Sequence, residues 1–149
     1  MVNPFDPKTI LLAKHAQHVV LIHFPIALFM IGVGFDVVAQ RTKNAMTAAA
    51  ARYNLVAAAI ATPPVLLTGI LAWQWALGAP RIKGILLLHL VAGCIAGLMV
   101  MAVGWLHFRG GRLAKPLPTY RLPLELLAVA LVGLTAHLGG FLSGVNVPG

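Results

Sequence analysis

The chain has 149 residues, of which 60% are hydrophobic and only 9% charged. A soluble domain carries roughly 25% charged residues, so a water-facing surface of ordinary size cannot be built. The net charge of +8 raises a nucleic-acid reading, but the basic residues gather at the ends of apolar stretches, where they anchor membrane spans and set topology. No nucleic-acid partner is expected, and membrane lipid takes its place.

Segment Met1 to Gln17 reads as an exposed leader, with Pro4 and Pro7 opposing helix at its start. It lacks the charged, apolar and small-residue order of a cleavable signal. Four apolar stretches follow, at about 19–39, 55–77, 84–106 and 124–142. Each approaches the ~20 residues needed to cross ~30 Å of hydrocarbon. Backbone groups there must bond internally, which demands helices, and the short alternating segments of a membrane barrel are absent. Short connections make neighbouring helices antiparallel. The expected architecture is all-α, a four-transmembrane-helix up-down-up-down bundle forming a single membrane domain over 1–149.

Pro25 in span one should free the carbonyl near Leu21, and Pro63-Pro64 should kink span two. Cys94, in the middle of span three, reads as a buried small apolar residue. The connection after span one carries Arg41, Lys43 and Arg52, and that after span three carries Arg109, Arg112, Lys115 and Arg121. Lys8, Lys14, Arg81 and Lys83 lie on the opposite side. Seven basic residues against four place both termini outside, in the periplasm of a bacterial cytoplasmic membrane. Trp73 and Trp75 on one side, with Trp105 and Tyr120 on the other, match interfacial aromatic belts. Glu125 follows Pro123 at the start of span four, where negative charge is favoured. Asp36 reads as an interfacial partner of Arg41 or Arg109.

Six histidines are present: His15, His18, His23, His89, His107 and His137. At 1.5 Å per residue, His23 lies ~6 Å into span one, while His89 and His137 lie ~7.5 Å from the same face on spans three and four. His18 sits at that outer boundary. Ionisable groups at membrane depth are costly and usually line a site. His15 and His107 are read as solvated boundary residues. His89, Gly93, Gly97 and Gly104 share one helical stripe, as do Gly133, His137, Gly140 and Gly144. Such stripes leave room for a flat ring, although close helix packing explains the glycines equally well. Zinc or copper would accept three imidazoles, but no acidic residue shares the outer half and Cys94 lies deeper. Haem b needs only two opposed imidazoles and an apolar slot.

The segment His18-Val19-Val20-Leu21-Ile22-His23-Phe24-Pro25-Ile26-Ala27-Leu28 resembles the HPxxVHFPIAL opening of a bacterial membrane family, number 2231 among domains of unknown function. Gly69 followed by Trp73, His89 early in span three, and His137-Leu138-Gly139-Gly140 near the end add to the resemblance. Val19 replaces the family's proline, Ala72 stands where it has an acidic residue, and the tail after Phe141 is shorter. The resemblance implies four helices and this histidine pattern. Some relatives look like cytochromes, which leans toward haem.

The expectation is therefore a haem-b electron-transfer protein, or such a subunit of a respiratory or photosynthetic complex. Its iron ligands would be two per haem from His18, His23, His89 and His137, and a cytochrome c on the outer side is a candidate partner. No nucleophile, paired carboxylates or phosphate loop is evident, so no enzyme activity of its own is expected. The alternatives are a cofactor-free structural subunit and a metal- or pigment-binding membrane protein.

Overall fold

The computed structural model describes residues 14–76, 78–113 and 117–144, so most of the expected leader lies outside the described residues. Helices α1 (Lys14–Leu21) and α2 (His23–Thr42) form the first span. Helix α3 (Ala45–Leu71), extended by a π-helical turn (Ala72–Ala76), forms the second; α4 (Gly84–Leu113) and α5 (Arg121–Leu142) form the third and fourth. All four are long and apolar enough to cross a membrane.

Local chemistry sets the ends. Lys43 adopts a left-handed conformation (φ 55°) and its N–H closes on the Ala39 carbonyl at 2.8 Å. Asn44 then caps α3, its side-chain oxygen accepting from the N–H groups of Met46 (2.8 Å) and Thr47 (3.1 Å). These two residues make the whole turn between spans one and two, which forces them antiparallel. Asn44→Ala should cost about 1 kcal/mol of stability, the usual worth of an N-cap, read as a lowered thermal midpoint in detergent. The helix assignment breaks at Ile22, upstream of Pro25, where the proline ring removes a backbone donor. By contrast α3 runs through Pro63 and Pro64 without interruption.

Span one packs on span two, two on three and three on four, while the contact of span four with span one is less extensive. Spans one and three thus stand across the bundle from each other. The interior is a single stripe from each helix: Phe29 and Val33, Leu55 and Ala58, Ala96, Val100 and Val103, and Ala128 and Val132. Small residues bring the backbones close: a Cβ on Gly97 would stand 3.0 Å from a methyl of Leu66. The outward faces carry Leu87, Leu88, Val91, Ile95 and Leu98 on span three alone, the surface lipid tails solvate. Cys94 is exposed on that face, contrary to the buried position expected.

Candidate functional site

Two polar constellations lie at opposite ends of the bundle. At the end where span one begins and span four finishes, His18 on α1 contacts the Thr68 hydroxyl of span two, Nδ1 to Oγ1, at 3.1 Å. Because Thr68 spends its own O–H on the Val65 carbonyl (2.8 Å), Nδ1 of His18 is the donor. His89 on span three donates from Nδ1 to the Thr135 carbonyl of span four at 3.1 Å, and His23 donates from Nδ1 to Val19 of its own span at 2.7 Å. A carbonyl only accepts, so in each neutral ring the lone pair is left on Nε2. His137 is exposed and stands edge-on to Phe141, with ring centroids 5.0 Å apart. His23 is also exposed; His18 and His89 are half-buried.

The glycines serve these histidines across helices rather than along one. A Cβ on Gly69 would lie 3.0 Å from Cε1 of His18, and one on Gly139 would lie 3.1 Å from Cε1 of His89. Each glycine makes the space its partner's imidazole fills. On span three, Gly97 and Gly104 are closed off by Leu66, Thr62, Ala59 and Leu55 of span two, so that stripe is a packing stripe. Gly133 on span four meets nothing within 4 Å. The side chain of His15 lies outside the described residues.

The opposite, basic end holds what sequence reasoning overlooked. His107 is only 2% exposed, not solvated, and its Nε2–H donates to Oε1 of Glu125 at 2.8 Å. Glu125 is fully buried, and its Oε2 has no hydrogen-bond partner. Asp36, 3% exposed, pairs neither with Arg41 nor with Arg109: its Oδ2 accepts from Nε of Arg121 at 3.0 Å and from Nε2 of Gln40 at 2.6 Å. Ligand atoms of Asp36, His107 and Glu125 all lie within 4.8 Å of one another. A cleft of about 450 Å³ runs alongside, lined among others by Gln40, Lys43, Arg52 and Arg121.

A signal for this cluster was present in the sequence. Asp36 and Gln40 are four apart, as are Arg121 and Glu125, so each helix presents a polar pair on one face. Asp36 and Glu125 are also two of the three acidic residues in the chain. The apolar stretch of span three ends at Leu106, which put His107 at a boundary, but α4 continues to Leu113 and the neighbouring helices cover it.

The family model described as predicted membrane protein (DUF2231) matches residues 14–146, nearly the whole chain. The chain belongs to this family. No curated protein and no solved structure matches it. Membership in DUF2231 carries the membrane assignment.

Proposed function

We propose that the chain is a haem-b-binding electron-transfer protein of a bacterial cytoplasmic membrane, or such a subunit of a larger redox complex, and not an enzyme in its own right. The observation that carries this reading is the tautomer set by the outer histidines. Metal-bound histidines almost always give their other ring N–H to a carbonyl or similar acceptor, which fixes ring orientation and raises basicity. His23 and His89 hold that arrangement before any ligand is considered, each giving its Nδ1–H to a backbone carbonyl.

The donor set fits haem b, which asks for two imidazoles and no carboxylate or thiolate. Two of His18, His23, His89 and His137 would hold it; His23 and His89, the pair to test first, come from spans that stand across the bundle from each other, with His23 exposed and His89 half-buried. When bound, the haem supplies one-electron redox chemistry, tuned by its axial ligands and apolar surroundings. The chain's own part is to hold the rings, exclude water with its apolar spans and present this end to a soluble carrier such as a cytochrome c. That carrier would meet it in the periplasm, where both termini would lie.

A second reading has its own support. The bonds from His18 to Thr68 and from His89 to Thr135 join separate spans, as expected of a structural subunit whose histidines only tie helices. Spectroscopy on the purified protein separates the two. The haem reading expects a reducible Soret and α band, lost in His23→Ala and His89→Ala while both variants still insert, and kept in Cys94→Ser. A colourless protein, or a full spectrum in both histidine variants, overturns it in favour of the structural reading.

A further inference from the structure

We infer that Asp36, His107 and Glu125 form a binding site for one divalent transition-metal cation at the basic end of the bundle, separate from the outer histidines. The inference does not rest on the haem reading.

Geometry comes first. Bonds of ~2.0–2.1 Å to nitrogen and oxygen set tetrahedral ligand atoms about 3.4 Å apart. Here the three ligand atoms lie within 4.8 Å of one another, and the His107–Glu125 pair is at 2.8 Å. The pair would open and the wider separations would close by side-chain adjustment of about an ångström. A cation would then replace the proton that His107 shares with Glu125.

Oε2 of Glu125 is buried without any partner on a fully buried residue. A buried polar atom without a partner is costly, and a cation between these groups would satisfy it. Asp36 is prepared in the same sense: Arg121 and Gln40 both bond Oδ2, from two different helices. Ligating carboxylates are commonly held by such outer hydrogen bonds.

Asp36 is already paired with Arg121, so Glu125 is the carboxylate whose charge a divalent ion would newly offset. Asp36 and His107 line the adjoining cleft, which gives the ion access and room for water as a further ligand. One nitrogen and two oxygen donors, with no sulfur, suit zinc, manganese or iron(II) rather than copper(I). Lys43 and Arg52 on the same cleft favour an anionic further ligand over a second cation.

The test is equilibrium dialysis of the chelator-treated, detergent-solubilised full chain against zinc, followed by elemental analysis. One zinc per chain is expected. His107→Ala and Glu125→Gln should each weaken binding at least about tenfold, while Cys94→Ser, on an exposed face of span three, leaves it unchanged. Because the inner variants remove a buried pair, X-ray absorption of the zinc-loaded wild type gives an independent reading: a single imidazole among oxygen donors is expected. No bound zinc, a shell of several imidazoles, or undiminished binding in folded His107→Ala overturns the site. The cluster would then be a closed hydrogen-bonded network in which His107 holds Glu125 and Arg121 holds Asp36.

Discussion

His107→Ala, measured in chelator, is expected to destabilise the bundle by about 3–5 kcal/mol, the cost of stranding one member of a buried pair. Glu125 is fully buried and its Oε2 is already without a partner; removing His107 strands Oε1 as well. Arg121 gives its Nε–H to Asp36 Oδ2 at 3.0 Å and makes no hydrogen bond to the buried Oε2 of Glu125. The thermal midpoint of the purified protein should fall steeply. The double variant His107→Leu/Glu125→Leu should recover most of the loss, because apolar replacement of both partners removes the desolvation problem rather than exposing it. A single variant as stable as the wild type would mean that the pair contributes nothing to holding spans three and four together.

Gly104→Leu is expected to cost about 1–3 kcal/mol or more, the range for overpacking a tight contact. Any Cβ there would collide with that of Ala59 and stand 2.8 Å from the Leu55 carbonyl oxygen. A backbone atom cannot swing aside as a side chain can, so spans two and three must separate. Leu55 and Val103, both almost completely buried, would lose packing as they part. Gly133→Ala serves as the contrast: nothing lies within 4 Å of its added methyl, and its effect should stay within about 0.5 kcal/mol. Equal midpoints for the two variants would sink the close-contact account of span three.

The outer histidines and the inner cluster differ in how well the chain betrays them. His18, His23, His89 and His137 stand out because each interrupts or borders an apolar run at a computable depth. Their partners were not readable: Thr68 and Thr135 look like unremarkable span residues, and the glycine opposite each imidazole lies on another helix. At the basic end depth does not follow from the apolar run. Counting apolar residues ends the membrane at Leu106, yet a helix continues past its most hydrophobic stretch, and its neighbours bury His107.

What the sequence determined alone is the bundle: four runs of apolar residues, with connections too short for anything but antiparallel neighbours, and a backbone that lipid compels to bond within each helix. That constraint acts on every residue locally, so it can be read without knowing what any helix touches. Only the tertiary structure decided which polar residues meet. Asp36, His107, Arg121 and Glu125 come from three spans, and the rotation of each helix about its axis, set by the Phe29, Leu55, Val103 and Ala128 packing, turns them inward together. With lipid apolar on every outer face, hydropathy does not specify that rotation; side-chain volume and the few available hydrogen bonds do.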